Sequence, residues 1–333
     1  MRLKSLLFYI FIQIMALQLV AQDYKKVHAK DGDGIYSLLR RYNLNPAEYL
    51  DDFVNLNKKS LGKNNELLKG KTYLLPVTEN LPTKGTSTET GVFPIFGKKY
   101  KNIEFIDNQL QGAIFYVIAG HGGPDPGALG KRSGHQMCED EYAYDISLRL
   151  ARKLLEHNAT VYIITRDPND GIRDEMYLKC DKDENVYGDL TIPLNQAKRL
   201  KQRTTAVNKI SKGYTGRYER LIELHVDSRY QKQKVDIFFY HYPNSKKGKA
   251  LCNTLFQTVK KKYAEAQPNR GYYGTIKGRK LYTLRYANPV STYIELGNIN
   301  HDRDQQRLVI LDNREAIANW LTLGLIKDYK NSK

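Results

Sequence analysis

From about residue 100 onward, short apolar runs rich in β-branched and aromatic residues alternate with stretches of helical periodicity. Residues 113–119, AIFYVIA, read as a buried strand. They feed into GHGGPDPGALG at 120–130, whose glycines and prolines favour a structured loop over a continued strand or a helix. Tyr142, Ile146, Leu150 and Leu154 recur every four residues and predict a helix over about 140–157. TVYIITR at 160–166 is the next strand, and a helical segment covers about 195–210. RLIELHV at 220–226 and VDIFFYHY at 235–242 are strands, followed by a helix over about 245–264. STYIEL at 291–296 is a strand, and a last helix lies within about 305–328. Such alternation predicts an α/β domain over 100–330, a mostly parallel twisted sheet with helices on both faces.

The pattern before residue 100 is different. Residues 1–22 place Arg2 and Lys4 ahead of an apolar run that ends at Ala21 and Gln22, the layout of a cleavable secretory signal peptide. An uncleaved membrane anchor is the alternative, since the run nearly spans a bilayer. No later stretch is apolar enough to do so, and the mature chain is expected to be exported to the periplasm or cell envelope. Residues 24–77 predict a strand, a turn at Gly32–Asp33–Gly34, a helix through Ile35, Leu38 and Leu39, and a break at Asn45–Pro46. A second helix and a strand ending at Pro76 follow. This βααβ order, with Asp33, Tyr42, Asn57, Gly70 and Pro76 in place, resembles a LysM domain. The resemblance implies a module that binds N-acetylglucosamine-containing glycan. Residues 78–98 are rich in Thr, Ser, Gly, Pro and Lys without periodicity and are expected to be a linker.

Charge narrows the partners. The formal net charge is +17, and removing Arg2 and Lys4 leaves 17 − 2 = +15. An exported basic protein suits an acidic polymer such as a cell wall carrying peptide carboxylates. Export and the lack of nucleic-acid-binding motifs argue against a nucleic-acid partner. Three cysteines, Cys138, Cys180 and Cys252, allow at most one disulfide and show no CxxC spacing.

Candidate chemistry gathers at element boundaries. His121 follows the 113–119 strand, His225 closes LIEL, Glu295 closes STYI, and Glu139 precedes the first long helix. In open α/β sheets ligands bind outside the carboxyl ends of strands. Two His and one carboxylate with a fourth position open to water form a catalytic zinc set, which would leave Glu295 as a free carboxylate beside that water.

The sequence from about 113 to 329 resembles the zinc-dependent N-acetylmuramoyl-L-alanine amidases. These hydrolyse the amide between the lactyl group of N-acetylmuramic acid and the first alanine of the stem peptide. GHGGPDPGALG corresponds to the first zinc-ligand motif, CEDEYAYDISLRLA at 138–151 to the second, ELHVD at 223–227 to the second-histidine motif, and LRYANPVSTYIELGNIN at 284–300 to the catalytic-glutamate motif. VYIITR and RTTAVN lie between them in order. The resemblance implies Zn2+ held by His121, Glu139 and His225, Glu295 as the general base, and peptidoglycan as substrate. It also suggests that Arg285 contacts a substrate carboxylate, with a surface salt bridge as its plainer role. Aligning DISLRLA puts Glu139 rather than Glu141 at the ligand position. His135 and Cys138 read as a loop histidine and a small buried thiol.

Some positions depart from the family. Glu223 and Asp227 stand where serine and asparagine are usual, and Asn298 replaces a phenylalanine of the substrate wall. Residues 167–193 are an acidic insertion with Met176, Tyr177 and Leu178 needing cover. It is expected to border the substrate groove, selecting substrate or acting as a lid released by a regulatory protein partner. Its Asp181-x-Asp183-x-Asn185 run hints at calcium, although no EF-hand glutamate follows. Two other readings remain: a peptidoglycan-binding protein without catalysis, and a zinc peptidase cutting within the stem peptide.

Overall fold

The structure is a computed structural model that describes residues 24–29, 33–42, 44, 46–62, 65–78, 90–228 and 236–333. The expected signal peptide, Gly32, Asn45 and most of the expected linker lie outside these residues. The chain divides into two compact units, one up to Thr86 and one from Ser87. No helix among the described residues is long and apolar enough to cross a membrane.

The first unit runs β1 (Tyr24–His28), α1 (Ile35–Arg41), α2 (Pro46–Asn57) and β2 (Thr72–Thr78). The two strands pair antiparallel, with Val27 opposite Tyr73. Val27, Leu38, Leu39, Phe53, Tyr73 and Leu75 form its core. Asn57 is buried at the end of α2, where its side chain donates to the Phe53 and Leu74 carbonyls and accepts from the Leu74 N–H. That residue therefore locks α2 to β2, because a buried amide must find partners for all its polar atoms.

The second unit opens with β3 (Thr90–Val92) paired antiparallel to β4 (Asn102–Glu104). Residues 90–98, read from sequence as the end of a linker, instead carry a strand and a turn that buries Phe96. The strands and helices that follow are β5 (Ile114–Ala119), β6 (Leu129–Arg132), β7 (His135–Cys138), α3 (Glu139–Glu156), β8 (Thr160–Ile163), β9 (Thr165–Arg166), β10 (Asn185–Val186), β11 (Leu190–Thr191), α4 (Gln196–Ser211) and β12 (Glu219–Asp227). The rest comprises β13 (Phe238–His241), α5 (Lys246–Ala266), β14 (Ile276–Gly278), α6 (Tyr282–Tyr286), β15 (Val290–Asn298), α7 (Asp302–Val309) and α8 (Leu311–Asn331). The last helix predicted from sequence is thus two, broken where Ile310 adopts an extended backbone without a proline or glycine to announce it.

The main sheet has the order β14-β13-β15-β12-β5-β8. All its pairs are parallel except β13 with β15. Alternation along β5 builds a core on each face. Phe115, Val117 and Ala119 join the side covered by α3, α5 and α8, while Ile114, Tyr116 and Ile118 meet Val207 of α4, Val186 and Ile192 on the other. Helices therefore cover both faces, as a parallel sheet requires.

From β5 the chain crosses to β8 on one side, then returns to β12 on the other. Strand order reverses between β5 and β12, the place where such sheets leave a crevice beyond the strand ends.

Candidate metal centre

Three strands end at that crevice. Leu224 of β12 pairs with Ala119 of β5, and His225 pairs with Glu295 of β15. A bulge follows this last pair, since Asp227 aligns with Asn298. It ends regular pairing just after the two functional side chains.

His121 lies two residues beyond Ala119 and has a left-handed backbone, φ +59°. That conformation is costly for a residue with a Cβ and is kept by the turn in which the Gly122 N–H donates to the Asp125 carbonyl over 2.8 Å. Two glycines make room for the rings. A Cβ on Gly120 would lie 2.1 Å from His225 Cε1, and one on Gly127 would lie 2.7 Å from Glu139 Oε2 and 2.8 Å from His121 Cδ2.

Glu139 is the first residue of α3, where an acidic side chain complements the positive end of the helix. Its carboxylate accepts from the Ala128 N–H at Oε2 (2.8 Å) and from the Val226 N–H at Oε1 (2.9 Å). Oε1 also lies 2.9 Å from His225 Nδ1, and Oε2 lies 3.4 Å from His121 Nε2. One ligand atom from each of His121, Glu139 and His225 falls within 4.8 Å of the other two. The histidine rings meet edge to face with centroids 5.0 Å apart.

Each imidazole has its remaining nitrogen engaged by a carboxylate. His121 Nδ1 is 2.9 Å from Asp125 Oδ2, and His225 Nε2 is 3.3 Å from Glu223 Oε1. Asp125 is in turn held by the Arg199 guanidinium, and Arg203 donates to the His121 carbonyl. His225 stacks on Tyr293, centroids 4.2 Å apart. The nitrogens turned toward Glu139 are therefore His121 Nε2 and His225 Nδ1, the tautomers that carboxylate partners impose on metal-binding histidines.

The electrostatics show a centre short of positive charge. Burial favours a neutral His225, but hydrogen bonds with Glu139 and Glu223 outweigh it and push its pKa up to about 10. Burial likewise opposes charge on Glu139, yet its contacts with His121 and His225 hold its carboxyl well below the usual range. Glu295 is 8 % exposed, and burial pushes its carboxyl up to about 8. Its Oε2 has no hydrogen-bond partner among the described residues, and neither does Glu223 Oε2. Two imidazole nitrogens, a carboxylate and an orphaned buried carboxylate oxygen fit a divalent ion of nitrogen and oxygen preference with an open coordination position.

A sequence profile of the N-acetylmuramoyl-L-alanine amidases matches residues 116–327. The chain belongs to the N-acetylmuramoyl-L-alanine amidase family. Among curated proteins no sequence matches it. Solved structures similar to it include the CwlD amidase from Clostridioides difficile, solved in complex with the GerS lipoprotein, at 19% identity, covering 66% of this chain and 100% of that one with a TM-score of 0.49. The amidase AmiC2 of Nostoc punctiforme is 18% identical over 66% of this chain and 99% of its own, TM-score 0.47. The catalytic domain of CwlV from Bacillus (Paenibacillus) polymyxa var. colistinus is 16% identical over 66% and 99%, TM-score 0.47.

Other positions of this amidase sit apart from the imidazoles. Glu141, the rival to Glu139, turns to Arg173 (2.8 Å) and to the Asp181 N–H (2.8 Å). Arg285 is exposed on α6, its guanidinium over the Tyr286 ring, and makes no ion pair among the described residues. His135 is not in a loop: it begins β7 and stacks on Tyr177 at 4.1 Å. Cys138 is not a free thiol but is joined to Cys180, which leaves Cys252 free and buried. Asn298 is fully buried, accepting from the Asn300 N–H over 2.9 Å, so its side chain shapes a turn rather than a substrate wall. A cavity of about 960 Å³ lies between the β6–β7 hairpin and the turn after β15, lined by Leu129, Lys131, Gln136, His301, Arg303 and Gln305 among others. None of His121, Glu139 and His225 lines it.

Sequence reasoning did not assign Asp125, Arg199 or Arg203. Asp125 carried a usable signal, since an acid four residues after a candidate ligand histidine can return to its ring across a tight turn.

Proposed function

We propose that this amidase-family chain is an exported, zinc-dependent enzyme that cleaves the bond between N-acetylmuramic acid and L-alanine in peptidoglycan. His121, Glu139 and His225 hold the zinc, and Glu295 is the general base. The observation that carries this reading is the convergence of His121 Nε2, His225 Nδ1 and Glu139 within 4.8 Å beside the buried Glu295 carboxyl.

When bound, zinc lowers the pKa of water from about 15.7 toward 7 and polarises the scissile carbonyl. The chain supplies the remainder. Asp125 and Glu223 fix the two imidazoles in the tautomers that present Nε2 and Nδ1. Glu223 is held below the usual carboxyl range despite its burial by its hydrogen bond with His225 and the nearby Arg203 guanidinium, and so adds negative charge that favours a cation where the family usually has serine. Glu295, unpartnered at Oε2 among the described residues, takes the proton of the attacking water and passes it to the leaving amine nitrogen. A cation beside it brings its raised pKa down toward neutrality, which readies it as a base.

Residues 24–77 are proposed to be a LysM-like wall-binding module, supported by the β1-α1-α2-β2 order and the buried Asn57. Arg285, exposed and without an ion pair among the described residues, is proposed to meet a substrate carboxylate, which its planar fork suits. Insertion 167–193 is proposed to border the groove, where a protein partner would act on it. Purified muropeptides analysed by mass spectrometry, with zinc content measured on the same sample, test the activity. Free stem peptide and intact glycan are expected; cleavage within the stem peptide or no product would reject the reading.

A further inference from the structure

Beyond the imidazoles, carboxylates crowd the seam between α3 and the insertion. Oxygens of Asp140, Glu141 and Glu184 lie within 4.8 Å of one another, and all three side chains are buried. A neighbouring group joins Asp167, Asp170 and Asp181. The cation that reaches them is Arg173, which pairs with Glu141 and Asp170. Among the described residues no Lys or Arg pairs with Asp140 or Glu184.

Asp140 supplies the decisive observation. It is only 2 % exposed; Oδ1 accepts from the Glu141 N–H over 3.0 Å, while Oδ2 has no partner among the described residues. Oxygens of Asp167 and Asp181 are orphaned in the same way. A carboxylate oxygen removed from water and left without a donor is costly, and three carboxylates at such distances repel unless a cation or a proton lies among them.

We propose that Asp140, Glu141 and Glu184 bind one calcium ion. The donors are oxygens alone, which suits a hard cation and disfavours zinc. Calcium takes six to eight oxygens in flexible geometry, so waters complete the shell more readily than the strict octahedron of magnesium allows. The ion fastens two segments, the second of which also touches the His121 loop. Asp140 and Glu141 belong to the first turn of α3; Glu184 belongs to the insertion and accepts from the Gly123 N–H in the His121 loop over 2.6 Å; Glu141 accepts from the Asp181 N–H. Calcium there holds the insertion against the loop that carries His121. The inference is independent of the zinc reading.

Calorimetric titration of the purified chain, supplied with one equivalent of zinc and freed of calcium, tests it with CaCl2 and with MgCl2. One calcium per chain is expected. The midpoint of thermal unfolding should rise by about 5–10 °C at a hundredfold excess over the dissociation constant. Glu184→Gln should abolish both the heat and the shift, and Asp140→Asn, which keeps the side-chain shape, should do the same if the first variant does not fold. No calcium heat and no shift in the parent chain would mean that a proton occupies the seam, overturning the proposal. So would binding that survives Glu184→Gln and is lost in Asp167→Asn, because the ion would then lie in the neighbouring group.

Discussion

His225 and Glu295 are register partners on adjacent parallel strands, β12 and β15. Paired residues in parallel strands present their side chains to the same face of the sheet, so the pairing sets the carboxyl of Glu295 beside the imidazole of His225. A slip of one residue in that register would turn one of them to the opposite face. The sheet register therefore carries the geometry that the proposed chemistry needs.

Replacing Glu295 by Gln should remove the base without disturbing the ligands. Zinc content is expected to match the parent, while turnover on muropeptides falls by about 10²–10⁴-fold. Turnover close to that of the parent would take Glu295 out of the mechanism.

The ligand set has its own test. His121→Ala, His225→Ala and Glu139→Ala should each lose zinc on dialysis, read by elemental analysis, and lose activity with it. Glu141→Ala should retain zinc, because its side chain faces Arg173 and the Asp181 N–H. Zinc loss in Glu141→Ala together with zinc retention in Glu139→Ala would reverse the assignment.

Stability of the metal-free protein should fall as pH rises through neutrality on account of Glu295. Its folded pKa of about 8 lies above the ordinary carboxyl value, so the folded state holds a proton that the unfolded chain has released. The contribution is intact below the unfolded value and lost as pH rises through the folded one. Glu295→Gln does not titrate there. In urea unfolding without metal, the variant should gain on the parent by up to about 1.4 kcal/mol per pH unit between about pH 4.5 and 8. Parallel pH profiles for the two proteins would exclude this account.

Much of the fold was legible because its signals are local. Apolar runs such as AIFYVIA and LIEL, followed within two residues by His121 and His225, gave both the strands and the side chains at their ends. What escaped depends on contacts distant in sequence. Asp125 and Arg199 meet across 74 residues, and the pairing of Cys138 with Cys180 spans 42. The two-residue strands β9, β10 and β11 are too short for any periodicity to register. Ile310 breaks the final helix in an apolar context that reads as continuous helix.

The amino-terminal unit should act on the wall rather than on the chemistry. Deleting residues 24–77 is expected to weaken co-sedimentation with insoluble sacculi while leaving hydrolysis of small soluble muropeptides nearly unchanged. Its core of Val27, Leu38, Leu39, Phe53 and Tyr73 is a separate hydrophobic cluster, so its removal takes no residue from the core around β5. Equal sacculus binding by the truncated chain would assign the unit a role other than wall attachment.

The disulfide joins the insertion to the residue just before Glu139, and this gives the last prediction. Closing a loop of 42 residues removes conformational freedom from the unfolded chain worth about 4 kcal/mol in the chain-entropy estimate, with native distortion reducing the measured value. Cys180→Ser is the better probe, because it leaves Cys138 at the start of α3 in place. Its unfolding free energy in urea is expected to drop by about 2–4 kcal/mol relative to the oxidised parent. Reduced parent protein should behave like the variant, since the two differ by one sulfur atom and share the open loop. Other ties hold the insertion, among them the pairing of β10 with β9, the Asp181 N–H bond to Glu141 and the Gly123 N–H bond to Glu184. Zinc should therefore remain bound in Cys180→Ser at neutral pH. A variant as stable as the oxidised parent would show that these ties suffice and that the disulfide contributes nothing measurable.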